Sequence, residues 1–283
     1  MPEKPEAQTM TDKLNSDLAG YYLTQFTLQS DKFEITNLNK LQTLLPRGIV
    51  RIFSRGKKVI WELEGGIFIV TSLGMTGRWV YSQLPHVRVC ATLAAIEGNT
   101  VTPIGNVYFD DQRMIGGNIE LAFDLDQVKQ LLKNVGPDLL LDDITFDYFY
   151  SILKAAPNWV ITKFLKEQKY FSGIGNYLVA EILYRARVRP DRKLANLSLD
   201  ECKRLWEESR NTIYESYMLG GFTIERFLDP SGNSGSFVAQ VYGRSADKYG
   251  NTVVAARFKG DKMVDPSEQK SGQTIWWVPA IQV

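Results

Sequence analysis

Short runs of β-branched and aromatic residues, separated by turn sequences, fill the first part of the chain. These runs are residues 48–54, 59–63, 67–72, 78–81, 88–94, 106–109 and 119–123. Their enrichment in Val, Ile, Phe and Trp favours strands. Glu64-Gly65-Gly66 predicts a hairpin turn between the second and third run, and Glu97-Gly98-Asn99 marks another turn. Many short strands at this spacing indicate an antiparallel sandwich or barrel. Before them, the polar stretch 6–18 is compatible with a helix.

Near residue 125 the apolar period changes from that of strands to that of helices. Helical spacing predicts helices at residues 126–134, 146–155, 159–167, 176–186, 198–218 and 223–228. Gly136-Pro137-Asp138 breaks this pattern, and Ser198 with Glu201 has the spacing of a capping box. After Pro230 the chain becomes Gly-rich, and residues 251–258 and 273–278 then predict a closing β-hairpin.

We therefore predict an α+β fold with a β-rich first half and a helical second half. The expected division is an N-terminal antiparallel β-sandwich domain (1–125), a linker (126–145), a helical domain (146–235) and a terminal β-hairpin (236–283). At 283 residues the chain has the length of about two ordinary domains.

Composition excludes several classes of protein. No stretch approaches the ~18 apolar residues of a membrane span, and the first residues form no apolar signal segment. We therefore expect a cytoplasmic or nuclear protein that does not bind membranes. Cys90, Cys202 and His86 are the only Cys and His residues. A structural zinc site needs four such ligands, so counting excludes a zinc finger, and we expect no metal and no cofactor.

The charges are unevenly distributed although the net charge is only +1. Residues 47–58 hold five basic residues and no acidic one, and residues 154–193 hold nine basic and three acidic residues. Basic stretches inside a neutral protein fit a surface that meets phosphate groups. Judged by charge alone, two ordinary solvated surfaces are the better interpretation.

The segment Phe171-Ser172-Gly173-Ile174-Gly175-Asn176 lies between two predicted helices and inside the second basic stretch. Glycines before a helix let the backbone approach a ligand, and the N–H groups of the helix N-terminus bind anions. By itself this motif is better interpreted as a simple turn between two helices.

The segment at residues 171–176 belongs to a series of short sequence blocks that resemble the formamidopyrimidine-DNA glycosylase and endonuclease VIII family. The blocks follow the family's order from residue 2 to about 277. The blocks are Met1-Pro2-Glu3-Lys4-Pro5-Glu6, Ser54-Arg55-Gly56-Lys57, Leu73-Gly74-Met75-Thr76-Gly77, Gly136-Pro137-Asp138, residues 173–191, Gly220-Gly221 with Phe227, residues 232–237 and Val241-Tyr242-Gly243-Arg244. The resemblance implies a helix–two-turn–helix in the second half, and it covers nearly the whole chain.

For the start of the chain, the resemblance implies a nucleophile and its helpers. Removal of Met1 would give Pro2 a free secondary amine, and an α-amino group has a pKa near ~8 and is partly neutral at pH 7. The family's chemistry then assigns the attack on a sugar C1′ to Pro2 and acid–base catalysis to Glu3. Glu6 is expected to support Glu3, and Lys57 to contact the phosphate near the damaged nucleotide and to aid elimination.

Other blocks imply contacts with DNA. Met75 is expected to fill the space of a flipped-out nucleotide, and Arg113 to face the opposite base. Ile115 stands where the family has an aromatic wedge. Asn176 is the expected phosphate donor, and Tyr242 and Arg244 are expected DNA contacts. The alternative for Met75 is ordinary core packing.

The end of the chain departs most from the family, which usually has four cysteines holding zinc and an arginine at the hairpin tip. Here the region has no cysteine, so it resembles the zincless finger of some members. We expect packing to hold it, with Trp276 and Trp277 as candidates. Gln273 falls at the arginine position. We expect a weaker or more salt-sensitive phosphate contact there, or Arg257 in that role.

The function that the resemblance implies is a bifunctional DNA glycosylase with abasic-site lyase activity in base excision repair. It would excise oxidised bases through a Schiff base with Pro2 and cut the strand by β,δ-elimination. The expected partner is double-stranded DNA with oxidised bases or abasic sites, with single-stranded DNA left open, and we expect a monomer. Two alternatives stay open: a non-catalytic nucleic-acid-binding protein, and a lyase with little base excision. The preferred base is not determined, since the expected lesion-facing loop at residues 227–237 has no residue specific to one base.

Overall fold

The computed structural model describes residues 2–223 and 228–283 and divides into two compact units. The first unit comprises residues 1–134 and 219–236, and the second comprises residues 135–218 and 237–283. No helix in the described parts of the chain has both the length and the apolar character that a membrane crossing needs.

In its described residues, the first unit has a sheet of eight antiparallel strands and three helices. Its elements are α1 (Lys4–Leu18), β1 (Tyr22–Leu28), α2 (Leu38–Leu44), β2 (Arg47–Arg55), β3 (Lys58–Leu63), β4 (Ile67–Leu73), β5 (Arg78–Val80), β6 (Val87–Glu97), β7 (Thr100–Asp110), β8 (Gly117–Ala122) and α3 (Leu125–Leu132). The strand order is β5-β7-β6-β1-β2-β3-β4-β8. The seven runs predicted from composition all lie within strands β2 to β8, apart from one or two terminal residues.

The sheet folds over on itself to form the predicted sandwich. Strands β3 and β5 are five positions apart in the sheet order, which would be roughly 24 Å in a flat sheet. Yet the rings of Trp61 on β3 and Trp79 on β5 lie 5.0 Å apart. Phe109 packs against Trp79 at 5.4 Å, so aromatic side chains from both halves fill the space between the layers. The two layers are joined through the short pairing of β1 with β2.

Helix α1 closes this core. Ala7, Met10 and Leu14 are fully buried although most of the helix sequence is polar. The helix starts at Lys4, two residues earlier than the sequence predicted, because Glu3 and Glu6 form a reciprocal capping box at its N-terminus. The sequence missed strand β1 and helix α2 entirely.

The second unit contains helices followed by a small sheet. Its elements are α4 (Phe146–Ala155), α5 (Ile161–Lys166), α6 (Asn176–Ala186), a 3₁₀ turn (Leu194–Asn196), α7 (Leu199–Met218), β9 (Val254–Lys259), β10 (Lys262–Val264) and β11 (Ile275–Trp277). The predicted closing hairpin exists, since β9 pairs with β11. It is part of a three-stranded sheet, however, because the connection that the sequence left as polar loop contains β10 on the other side of β9. The α+β fold prediction is confirmed.

Residues 219–236 do not follow the boundary expected from the sequence. The sequence placed them in the helical domain, but they pack with the β unit. Backbone bonds explain this: the amide of Phe222 donates to Glu6, and the amide of Tyr81 donates to the carbonyl of Pro230. The predicted helix at 223–228 falls almost wholly on residues 224–227, which lie outside the described residues.

Candidate functional site

Glu3 and Glu6 form a buried acidic pair directly after Pro2. Their exposed fractions are 2% and 1%, and Pro2 is buried as well. One carboxylate oxygen of Glu6 accepts from the amide of Glu3 at 2.7 Å, and the other accepts from the amide of Phe222 at 2.7 Å. Glu6 therefore connects the start of the chain to the segment 219–236. This bond holds the main chain of Glu3, and the supporting role of Glu6 toward the Glu3 carboxyl group stays a prediction.

Lys57 lies at the corner between β2 and β3. Arg55 pairs with Lys58, so Gly56 and Lys57 form a two-residue loop, and Gly56 has a φ of 56° that suits glycine. Desolvation lowers the pKa of Lys57, while the charges of Glu3 and Glu6 act in the opposite direction. The structure thus brings Lys57 into the electrostatic range of both carboxylates.

A buried lysine that the sequence analysis passed over anchors this cluster. Lys4 is fully buried, and its ammonium donates to Gln8 at 2.8 Å and to the hydroxyl of Ser54 at 2.7 Å. Ser54 in turn donates to Gln8 at 2.8 Å. This network fastens the first turn of α1 to β2, the strand that leads to the Lys57 corner. The sequence feature that could have indicated this role is the position of Lys4 within the N-terminal block that resembles the family.

The residues expected around the flipped-out nucleotide, namely Met75, Arg113 and Ile115, lie on two loops that are bonded to each other. The amide of Met75 donates to the carbonyl of Ile115 at 3.0 Å, and the amide of Arg113 donates to the hydroxyl of Thr76 at 3.0 Å. Thr76 also donates to Asp111 at 2.5 Å. Arg113 is exposed, Ile115 is 53% exposed and Met75 is partly exposed. Met75 is not among the residues of the two apolar clusters described for the first unit, and its partial exposure weighs against ordinary core packing.

A close approach of two glycines shapes the segment that Glu6 holds. Gly221 has a φ of 97°, and a Cβ there would lie 2.8 Å from the Glu6 carboxylate. A Cβ on Gly235 would collide with the carbonyl oxygen of Gly221. Asp229 organises the next turn by accepting from the amides of Ser231 and Asn233. Phe227, at one end of the expected lesion-facing loop, lies outside the described residues.

In the second unit, the half-buried Gln168 and the fully buried Glu181 build the helix–two-turn–helix. Gln168 accepts from the amide of Gly173 at 2.9 Å and donates to the carbonyl of Ile174 at 2.9 Å, which fixes the turn before α6. Glu181, on α6, accepts from the amides of Gln240, Val241 and Tyr242 at 2.8–3.0 Å. Burial raises the pKa of Glu181, and these three amides oppose the rise. Glu181 thus positions Tyr242, and the sequence had shown it only as part of a motif.

Asn176 begins α6 and lies beside the finger residues predicted to bind phosphate. Its side-chain amide donates to the carbonyl of Thr274 at 2.7 Å. The adjacent Gln273 is exposed, and its side-chain oxygen accepts from Lys166 at 3.0 Å. Arg257 instead binds inside the finger, donating to the carbonyls of Gln269 and Lys270 at 2.9 Å. Arg257 therefore stabilises the loop within the finger, and a phosphate contact by Arg257 stays a prediction.

Tyr242 and Arg244 flank the turn that precedes the finger. The ring of Tyr242 meets Trp276 edge-on, with centroids 4.6 Å apart. Trp276 therefore packs against the segment before the finger, which is a contact of the kind expected to hold the finger. Arg244 is exposed and donates to the carbonyl of Ala239 at 3.2 Å.

A carboxylate organises the turn at the base of the finger. Asp247 accepts from the amides of Tyr249 and Asn251, from the side chain of Asn251 and from the hydroxyl of Tyr184, at 2.8–3.0 Å. Burial opposes ionisation of Asp247, but these bonds hold its pKa below the usual value. Burial and Asp247 together raise the pKa of Tyr184 to about 12. Among residues 2–223 and 228–283, no group of Cys, His, Asp and Glu is arranged to hold a metal ion.

Comparisons with known proteins agree with both units. Residues 1–118 match the family model of the formamidopyrimidine-DNA glycosylase N-terminal domain, and residues 135–227 match the H2TH domain of the same enzymes. A formamidopyrimidine-DNA glycosylase of Thermus thermophilus is 32% identical over 250 residues, which cover 86% of this chain and 88% of that protein.

Solved structures show the same similarity over nearly all of the chain. The crystal structure of the MutM (Fpg) protein from Thermus thermophilus has a TM-score of 0.80 at 30% identity and covers 96% of this chain and 100% of its own. A complex of Lactococcus lactis Fpg with DNA containing an abasic site has a TM-score of 0.83 at 22% identity, covers 99% of each chain, and supports the fold.

Proposed function

Because the chain belongs to the formamidopyrimidine-DNA glycosylase family, we propose that it is a DNA glycosylase that removes oxidised bases and then cleaves the strand. The resemblance inferred from the sequence is thereby confirmed. The observation that carries the proposal is the buried Glu3–Glu6 pair beside Pro2, with Lys57 within its electrostatic range. A protein that only binds nucleic acid has no need of such a cluster around its N-terminal proline.

In the proposed first step, the neutral amine of Pro2 attacks C1′ of the damaged nucleotide. The N-glycosidic bond breaks, and the base leaves with the bonding electron pair and takes up a proton. Glu3 donates a proton to the ring oxygen O4′ as the sugar opens, and the secondary amine becomes an iminium ion at C1′. The carboxyl group of Glu3 is buried, as a proton donor to a sugar oxygen should be.

Two eliminations would follow from the iminium ion. Loss of a C2′ proton to a base releases the 3′ phosphate, and a second elimination releases the 5′ phosphate. Hydrolysis of the remaining imine then returns Pro2 to its free form. Lys57 is suited to this stage, because desolvation lowers its pKa and makes the neutral amine accessible at a lower pH than in an exposed lysine.

Binding of DNA would rely on phosphate contacts and would weaken steeply with salt. Arg113 is exposed on the loop bonded to the Met75 loop, where it is proposed to face the base opposite the damaged nucleotide. Phosphate binding in the second unit is supported by Asn176, the first residue of α6, and by the exposed Gln273, two residues before β11. A related protein from Lactococcus lactis has been solved with DNA that contains an abasic site.

Borohydride trapping on a duplex with an abasic site tests the proposal. The parent protein should form a covalent adduct, because borohydride reduces the iminium ion to a stable amine. A variant with one extra residue before Pro2 should bind the same DNA and form none. Tight binding without an adduct from either protein would replace the proposal with the non-catalytic alternative. Release of free 8-oxoguanine or oxidised pyrimidine, measured separately, distinguishes the glycosylase from a lyase with little base excision.

A further inference from the structure

Arg88, on β6, holds the start of the loop that carries Arg113 and Ile115. Both Nε and Nη2 of Arg88 donate to the main-chain carbonyl of Asp111, at 3.0 and 2.9 Å. We propose that Arg88 is a positioning residue that fixes the loop at residues 111–116 and thereby sets how strongly the protein distinguishes the base opposite the damaged nucleotide. The proposal rests on the proposed function, since it concerns how that function's DNA substrate is read.

A β-bulge directs the side chain of Arg88. Val87 and Val89 of β6 pair with consecutive residues of β7, so Arg88, between them, is the extra residue of the bulge. A bulge bends its strand and changes the direction in which a side chain points. Nη1 of the half-buried Arg88 donates to the hydroxyl of Ser30 at 3.3 Å. The guanidinium group is therefore anchored to the segment after β1 while its other two nitrogens bind the loop.

Asp111 is the residue through which the loop is attached to the sheet. It is fully buried, its amide donates to the carbonyl of His86 at 3.1 Å, and its carboxylate accepts from the amide of Met114 at 3.2 Å. The hydroxyl of Thr76 donates to the same carboxylate oxygen at 2.5 Å. Arg88 supplies two bonds to the remaining polar group of this residue, its carbonyl. The orientation of the peptide that leads into the loop therefore depends on Arg88.

The two residues expected to meet DNA follow Asp111 within four positions. The amide of Arg113 donates to Thr76, and the carbonyl of Ile115 accepts from the amide of Met75, each at 3.0 Å. A hydrogen bond to a base edge needs a donor–acceptor distance of about 2.7–3.2 Å, whereas attraction to phosphates falls gradually with distance. A displaced loop therefore loses discrimination between bases before it loses overall affinity for DNA.

Discrimination between opposite bases separates this role from a purely structural one. Four duplexes would each carry one tetrahydrofuran abasic analogue, opposite C, G, A or T, and the ratio of the weakest to the tightest Kd measures the discrimination. A well-formed contact to a base edge discriminates by about 5-fold to 150-fold. Arg88→Met removes hydrogen bonds from a charged donor, each worth about tenfold or more in a local equilibrium, and should reduce the parent's ratio by about threefold or more.

Arg204→Met is the matched control. Nε of Arg204 also donates to a main-chain carbonyl, that of Ala186 at 3.0 Å, but in the second unit. This variant should keep the parent's ratio. Equal weakening of all four duplexes by Arg88→Met, with the ratio kept, would overturn the proposal, because it would show a structural role alone. The same narrowing in Arg204→Met, or a parent that binds all four duplexes equally, would overturn it as well.

A second variant decides the question if Arg88→Met does not fold. Arg88→Lys keeps the charge but loses the planar pair of donors, so its ratio should fall below the parent's, and a parent-like ratio would overturn the proposal. Borohydride trapping of the parent on a true abasic site reports on the chemistry separately. An absent adduct would count against the proposed function, whereas a narrowing of the ratio confined to the Arg88 variants would still support the positioning role.

Discussion

Glu6→Gln tests how the buried carboxylate holds the candidate active site together. Glu6 is 1% exposed and accepts from the amides of Glu3 and Phe222, each at 2.7 Å. Glutamine has nearly the same shape but only one acceptor oxygen. It can satisfy one amide, and its NH₂ group must then face the other donor. The substitution therefore removes one hydrogen bond to a charged acceptor and leaves one buried amide unpaired.

The magnitude follows from the cost of such a loss. A hydrogen bond to a charged group is worth about 1.5–3 kcal/mol, and an unsatisfied buried donor costs a similar amount, so we expect a local destabilisation of about 2–4 kcal/mol. At 1.36 kcal/mol per factor of ten, amide exchange at Phe222 or Glu3 should accelerate by roughly 30-fold to 1000-fold. The rate of borohydride trapping should fall because the neighbourhood of Glu3 is less ordered.

Hydrogen–deuterium exchange followed by mass spectrometry measures the effect where it arises. Glu97→Gln is the matched control, since Glu97 is exposed at the end of β6. We expect the control to exchange and trap like the parent. Exchange at both amides within twofold of the parent in Glu6→Gln would refute the reasoning, because it would mean that the carboxylate bonds contribute little.

Three further results are expected. Gly221→Ala should destabilise the protein more than Gly232→Ala, because both glycines have a positive φ but only at Gly221 would the new Cβ meet Glu6, at 2.8 Å; denaturant unfolding of both variants measures the difference, and equal losses would contradict it. Tyr184→Phe should cost about 1 kcal/mol at neutral pH through the lost bond to Asp247. The parent's advantage should diminish as the pH rises from ~10, the unfolded pKa of tyrosine, through about 12, its pKa in the fold, and a constant advantage would argue against this. For Lys57 the sign is opposite: its pKa is lower in the fold, so the unfolded chain binds more protons, and the parent's stability relative to Lys57→Met should increase with pH above the folded pKa. Urea unfolding at a series of pH values tests both dependences.

The sequence determined the elements whose local signals were strong. Residues 146–155 and 176–186 were predicted as helices with the bounds that the structure shows, because apolar spacing and flanking breakers agree there. The strands from β2 to β8 were predicted because β-branched runs alternate with turn residues. The ordered family motifs also sufficed to indicate the family and to nominate Pro2, Glu3 and Lys57, since these depend on residue type and order along the chain.

Features that depend on contacts between distant segments were decided by the tertiary structure. Strand β1 carries the mixed sequence Tyr22–Leu28 and is a strand because it pairs with β6 and joins the two layers. Residues 219–236 join the β unit because the amide of Phe222 binds Glu6, 216 residues earlier in the chain. The Lys166–Gln273 pair is likewise 107 residues apart in sequence. The periodicity of a segment indicates only which of its positions are buried. The partner of a buried amide or an ammonium group is fixed when folding brings remote segments within hydrogen-bonding distance.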